Sequence, residues 1–396
     1  MPTDALEEWR YSRIGDLDLA KFSPLDSAEV GSTGAAGHVA EGVVPRLVAA
    51  LGPQAIVVHT FDGRLAGGAH APGLDVHDAA GDGVSDGEPW SRFRDPDPYA
   101  TLNRAFAPSW LTIAAAEKST SPVVAIVHHV GAGPRAVFPR ILIDVAPLAE
   151  LRVVEILAGA SGGFVAPVTC LKVAAGARLA YTQIQLLATD AWQIASQSST
   201  VGRDATLVSA AVALGGTYAR LRNESTLEAQ GANGRLLALY FGGDSQMHDF
   251  RTVQHHSAPK TQSDLLFKGV VANESHSVYT GLIRVDKGAG GTNAMQTNRN
   301  LVLNEGAHAD SVPNLEIEDN DVRCSHASAV GPIADDQRFY LESRGVPSDV
   351  AERLIALGFM DELLEQLPAQ GLRLPLRALL AEKLSMVERR EVGTRG

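Results

Sequence analysis

Two side chains in this sequence have the chemistry to hold a soft metal ion or a sulfur species, and they stand two residues apart: Cys324 and His326. A thiolate is a soft ligand and an imidazole a borderline one, so the pair suits a transition metal. On an extended strand, positions i and i+2 point to the same side. The pair therefore supplies two ligands on one face, short of the four that a closed structural site uses, and a partner must furnish the rest. The alternative is a buried thiol beside a hydrogen-bonded histidine in an interface core.

Other chemistry-bearing residues point to structure. Cys170 lies in the alternating run Val168-Thr169-Cys170-Leu171-Lys172-Val173 and reads as core. His128-His129 and His255-His256 are adjacent in sequence. On strands such neighbours face opposite sides, so neither pair acts together. His248-Asp249 read as ordering a turn ahead of a strand. Gly288-Ala289-Gly290-Gly291 lacks the Gly-Lys-Ser/Thr ending and the following helix of a phosphate loop, which leaves a simple turn. There is no His-Glu-x-x-His and no Gly-x-Gly-x-x-Gly dinucleotide fingerprint. Any ATP hydrolysis must come from another chain.

The elements that position these residues follow from composition and spacing. The 396 residues are 45% hydrophobic and 20% charged, ample for a large core. Glycine is abundant at 38 residues and aromatics are sparse at 6%, a leaning toward short strands and tight turns. A net charge of −12 argues against nucleic acid and anionic lipid as partners. Two distant cysteines are no disulfide framework and predict a reducing compartment, hence the cytoplasm. The acidic N-terminus has no apolar signal region, and no apolar run is long enough to span a membrane.

Three regions emerge. Residues 1–110 are mixed: Ala5 to Tyr11 could open a helix, Val39 to Leu51 has helical spacing, and residues 67–98 read as a flexible loop. Residues 111–333 carry recurring short β-like runs, among them Val123 to Val127, Ile141 to Val145, Leu151 to Leu157, Leu207 to Val212, Leu236 to Phe241, Val278 to Val285 and Leu301 to Leu303. Residues 334–396 turn helical, with Leu354, Ile355, Phe359, Leu363, Leu364 and Leu367 on one stripe. Ser348 stands where it could cap that helix.

The middle region hides a period. Ala149-x-Leu151, Ala177-x-Leu179 and Ala205-x-Leu207 recur every 28 residues, each after a turn-like residue. Gly234-Arg235-Leu236 is a looser echo, one residue out of phase. Repeats of this size built from short strands read as stacked coils, a parallel β-helix with a packed apolar interior. Leu151, Leu179 and Leu207 should form an internal ladder, with Glu150, Arg178 and Thr206 facing solvent.

Several motifs fall in a recognisable order. They are Glu8-Trp9-Arg10-Tyr11, Leu102-Asn103-x-Ala105-Phe106-Ala107, His255-His256-x-x-Pro259-x-Thr261-x-Ser263 with Lys268-Gly269-Val270, Val278-Tyr279-Thr280-Gly281, Gln296-x-Asn298-x-Asn300-Leu301, and the Cys324-Ser325-His326 block. Together they resemble the SufB/SufD family of iron–sulfur cluster assembly proteins, on the SufD side. The chain departs from the family pattern at Ala327-Ser328-Ala329, where Gly-Ala-Thr is usual, and at Lys260, where histidine is common.

The resemblance implies a right-handed parallel β-helix core between an N-terminal mixed region and a C-terminal helical region. It implies a non-enzymatic scaffold that pairs with SufB and binds SufC, an ABC-type ATPase. Cys324 and His326 would lie at the SufB seam, where they share metal ligation with the partner. No cofactor would be held permanently, and a nascent iron–sulfur cluster would form there transiently. Ile355, Phe359 and Leu363 are the candidate contacts for SufC. A homodimer in isolation is a further expectation, since an exposed edge strand can pair with itself. Two other readings stand beside this one: a β-helix enzyme acting on polysaccharide, and a β-helical interaction module without cluster chemistry.

Overall fold

The computed structural model describes residues 2–3, 5–24, 38–79 and 96–394. Ten-residue strands separated by turns wind into a parallel β-helix whose coils alternate between two sheets, of 13 and 10 strands. We call them sheet one and sheet two. The turns take residues that tolerate a left-handed backbone, such as Gly176, Asp204, Gly231, Asp244 and Asn273.

The leucine ladder is present. Leu151, Leu179 and Leu207 are direct partners in adjacent parallel strands of sheet two, and all three are buried. Ala149, Ala177 and Ala205 are fully buried one step before each strand. Glu150 and Arg178 face solvent, and Thr206 is half-exposed. The Gly234-Arg235-Leu236 echo is a false alignment: Leu207 pairs with Gly234, and Leu236 pairs with Ser209. The repeat is 28 residues from Glu150 to Arg178 and again to Thr206. It is then 27 to Asn233, 29 to Gln262, 31 to Asn293 and 30 to Arg323. Changing turn lengths move the period while the strand register stays parallel.

The expectation of an apolar interior holds in the early coils and in part of the later ones, where Leu236, Tyr240, Phe250, Leu265, Phe267 and Tyr279 form a buried inward cluster. In the early coils, Leu111, Ile113, Ile141, Ile143, Leu171 and Val173 of sheet one meet Val124, Ile126, Leu151 and Leu179 of sheet two. Later coils also turn polar side chains inward. Gln197 Nε2 donates to Ser209 Oγ (2.8 Å), Gln254 Nε2 to Ser263 Oγ (2.8 Å), and His256 sits between Thr261 and Ser263. Burial pushes the His256 pKa down to about 4, with His255 adding to the effect. Even the early coils bury a carboxylate: Glu155 accepts from the Tyr181 hydroxyl and lies 3.3 Å from His128 Nε2. This polar filling explains why strands such as Trp192–Val201, Tyr218–Leu227 and Met247–His256 carry no clear apolar signature.

Helices cover the outer face of sheet two. They are α1 (His38–Ala49), α4 (Ser348–Leu364) and α5 (Arg373–Thr394), with α2 (Pro98–Phe106) and α3 (Asp335–Glu342) elsewhere. Val44 and Leu47 of α1, Met360, Leu363 and Leu364 of α4, and Leu376, Leu380 and Leu384 of α5 pack on Ile156, Ile184, Val212, Leu239 and Val270. Ser348 begins α4 as a helical residue and makes no cap bond.

α2 covers the outer face of sheet one. Asp97 caps it, accepting from the Tyr99 and Ala100 backbone N–H groups at 2.9 and 3.0 Å, and Pro98 fits the first turn. Asn103 donates to the carbonyls of Pro139 and Ala166, which ties α2 to the sheet. Cys170 is buried beneath it beside Ala100 and Leu142, as a core residue.

The segment Ala5 to Tyr11 forms only a short turn, Glu7–Trp9, and no α-helix. It is held by a buried ion network. Asp249 binds Arg220 (2.8 Å), Arg251 (2.6 Å) and the Tyr218 hydroxyl (2.8 Å). The two guanidinium groups donate onward to the Glu8 and Arg10 carbonyls, and Arg220 stacks on Trp9 at 3.7 Å. His248 and Asp249 therefore do not order a turn; they lie inside the strand Met247–His256. The expected loop at 67–98 is also partly structured. Ala69–Ala71 and Leu74–Ala79 form a hairpin on sheet one, and residues 80–95 lie outside the described set.

The two ends of the β-helix differ. At the first coil antiparallel hairpins close both sheets: Arg64–Leu65 folds back on Ile56–Phe61, and Leu74–Ala79 runs against Trp110–Ala115. At the last coil, His308–Ile317 ends sheet one and Val322–Gly331 ends sheet two, each hydrogen-bonded to one neighbour only.

Candidate functional site

The bare last coil is where Cys324 and His326 stand. Parallel register extends each inward column of sheet two to that coil. The ladder Leu151, Leu179, Leu207, Gly234, Ser263, Ala294 ends at Cys324. The next column, through Tyr181, Ser209, Leu236, Leu265 and Gln296, ends at His326. Both side chains thus belong to the inward face of the helix, at its open mouth.

On sheet one the matching inward column ends are Pro313, Leu315 and Ile317. Leu315 and Ile317 are exposed, as is Val330, two positions beyond Ser328 on the inward face of the last strand. Side chains that are core in every earlier coil here meet solvent, beside a row of unpaired strand-edge groups. Such an edge is a template for another strand.

Cys324 is half-buried and packs against Ile283, Val285 and Ala294. Burial raises its thiol pKa, and a bond from the Ala294 backbone only partly offsets that. The thiol is therefore protonated at neutral pH and needs a metal or a partner cation to ionise it. His326 is exposed. Directly behind it in register lies Gln296, fully buried, with neither amide atom hydrogen-bonded. Gly281 makes this possible: a Cβ there would fall 2.0 Å from Gln296 Nε2. Gln296, Asn298 and Asn300 all face inward, and the last two bond each other and Tyr240. The alternation of amides at 296, 298 and 300 was the sequence signal for this polar floor.

The other histidine pairs separate as strand geometry requires. His128 points inward to Thr60 and Glu155, while His129 stacks outside on His59 and Phe61. His256 is internal, and His255 pairs outside with Asp286 at 2.8 Å. Residues 288–291 form a turn, with Gly288 and Gly291 at positive φ.

A second feature lies between the helices and the outer face of sheet two. A groove of about 780 Å³ is lined by Lys268, Arg299, Tyr340, Leu341, Ile355 and Phe359 among others. Phe359 is half-buried, with the Lys268 ammonium 4.0 Å over its ring, and Lys268 also reaches Glu362 at 2.6 Å. Leu363, one turn on from Phe359, is fully buried in the core and is not available at the surface, whereas Leu354 is exposed.

The fold is thus a parallel β-helix with antiparallel hairpins at its first coil and, at its last, an unpaired edge with a thiol and an imidazole in the mouth. Residues 127–359 match the family model described as SUF system FeS cluster assembly, SufBD core domain. The chain belongs to this family. An iron–sulfur cluster assembly SufBD family protein of Mycobacterium leprae is 36% identical over 230 residues, 56% of this chain and 59% of that protein. The iron–sulfur cluster assembly protein SufD of Escherichia coli is 31% identical over 244 residues, 61% and 58% of the two chains. SufD of Bacillus subtilis is 32% identical over 162 residues, 41% of this chain and 37% of that protein. The matches thus span less than two thirds of these relatives' length.

Proposed function

We propose that the chain is a SufD-type, non-catalytic scaffold subunit of the SUF iron–sulfur cluster assembly machinery, working in the cytoplasm. The observation that carries this reading is the uncapped last coil. Its inward side chains Leu315, Ile317 and Val330 are exposed although they continue buried columns. A SufB chain of the same fold would bury them by adding its own last coil and would bring further ligands to Cys324 and His326. The cluster is cargo at that seam and leaves with its recipient.

SufC would dock on the C-terminal helices through the groove beside Ile355 and Phe359. The groove joins apolar surface to the cations Lys268 and Arg299, which suits an amphipathic helix with an acidic end. In the absence of SufB, two copies of the chain would pair through the same edges.

Co-expression with SufB and SufC tests the reading. The wild-type chain should co-purify with both, carrying iron and sulfide after anaerobic reconstitution. Ile317→Asp combined with Val330→Asp should keep the fold, since both side chains are exposed, but lose SufB and the free homodimer. Undiminished SufB capture by that variant would overturn the proposed seam, and no association of the wild-type chain with SufB would overturn the function.

A further inference from the structure

On the outer face of sheet one, in its last two strands, two histidines and a carboxylate converge. His276 and His308 are the first residues of adjacent parallel strands and are direct register partners. Asp310 follows His308 by two residues, so it shares its face. His276 Nε2 lies 2.7 Å from Asp310 Oδ2, and His308 Nε2 lies 3.3 Å from Asp310 Oδ1. One ligand atom from each of the three falls within 4.8 Å of the others, the only such trio of His, Cys, Asp or Glu side chains among the described residues.

We propose that His276, His308 and Asp310 bind one divalent first-row transition-metal ion, with water completing the coordination. Two imidazoles and one carboxylate form a borderline nitrogen–oxygen donor set, suited to Zn²⁺, Co²⁺ or Fe²⁺ rather than Ca²⁺ or Mg²⁺. The spacing already fits. Metal bonds of about 2.0–2.2 Å place neighbouring ligands roughly 3 Å apart, and the two nitrogen–oxygen separations here bracket that value.

The strands make the site rigid. The His276 N–H donates to the Gln246 carbonyl (2.9 Å) and the His308 N–H to the Ser275 carbonyl (3.0 Å). The outer face of sheet one lies under the N-terminal segment as far as Met247 and Val278, which pack in the cluster of Trp9 and Tyr99. His308 lies beyond that cover, with its side chain 67% exposed, which gives an ion a way in. Nothing here rests on the proposed scaffold role. The site is on the opposite sheet from Cys324 and His326 and faces outward where they face inward.

The test is a titration of the metal-free full-length chain with Co²⁺, followed by its visible ligand-field band, with Zn²⁺ as competitor. One equivalent should bind saturably and be displaced by Zn²⁺. His308→Ala removes an exposed ring and should leave the fold intact by circular dichroism, yet weaken binding by at least about 100-fold, beyond the range of outer-shell changes. Asp310→Asn, which keeps size and shape, should do likewise. The band should survive in Cys324→Ser/His326→Ala. Absence of saturable binding in the wild-type chain, or binding that persists in His308→Ala and Asp310→Asn, overturns the site. So does a band lost only in the Cys324→Ser/His326→Ala variant, which would place the ion at the mouth.

Discussion

Truncating Leu179 to alanine tests the stacked-coil interior directly. Leu179 is buried and sits in register between Leu151 and Leu207, packed with Leu171, Val173 and Tyr181. The change removes about three carbon atoms, worth roughly 0.8 kcal/mol each in lost burial. The cavity adds to this, because the rungs on both sides are locked by ladder hydrogen bonds and cannot collapse into it. Together these place the cost at about 3–5 kcal/mol, the upper part of the range for buried leucines. Arg178→Ala is the matched control one residue away. Its side chain is 72% exposed and only 3.8 Å from Glu150 in a solvent-screened pair, so the change should stay within about 0.5 kcal/mol. Long repeat arrays can unfold in parts, so urea denaturation should be paired with hydrogen exchange on Arg178–Leu187. Exchange should quicken in that strand and its two neighbours for Leu179→Ala. A cost below about 1 kcal/mol, or one matching that of Arg178→Ala, would refute the ladder argument.

Other outcomes follow from the same geometry. His326→Ala should leave folding and SufB pairing intact while lowering cluster assembly in vivo, and Cys324→Ser should be milder because the imidazole remains; wild-type cluster output from His326→Ala would remove that residue from the proposal. Phe359→Asp should weaken SufC capture more than SufB capture, measured by co-purification against a thermal-shift control, since its half-buried ring lines the groove and also packs under Lys268. Lys383 donates to Gln246 at 2.7 Å and to the Leu214 carbonyl, and burial pushes its pKa down to about 7 despite Asp244. The unfolded chain keeps that proton up to about pH 10.4. Stability should therefore rise with pH between about 7 and 10, where the unfolded state binds more protons. Lys383→Met should flatten that rise in urea midpoints taken at several pH values, and an unchanged slope would show that Lys383 stays charged in the fold.

Local patterns in the chain fix the strand-and-turn texture, the helical tail and the first three coils. Where turns keep a constant length, a corner alanine and an inward leucine recur at one interval, and the repeat is legible. Glu8 to Tyr11 and Leu102 to Ala107 stand out as motifs, but only the fold shows that Trp9 stacks on Arg220 and that Asn103 clamps α2 to two strand ends. The strands rich in Gln, Ser, Asn and His escaped the apolar pattern because their inward positions hold polar side chains that find partners on other strands, Gln197 on Ser209, Gln254 on Ser263 and Asn298 on Tyr240. His248 and Asp249 looked like turn residues for the same reason: their partners lie about 30 residues away on neighbouring rungs. Spacing alone puts Cys324 and His326 on one face. Which face that is, and that it opens to solvent at the mouth of the helix, depends on how many coils stack before the chain turns helical. The meeting of His276 with His308 and Asp310 is likewise a matter of register between coils, set by turn lengths and ladder hydrogen bonds rather than by any motif.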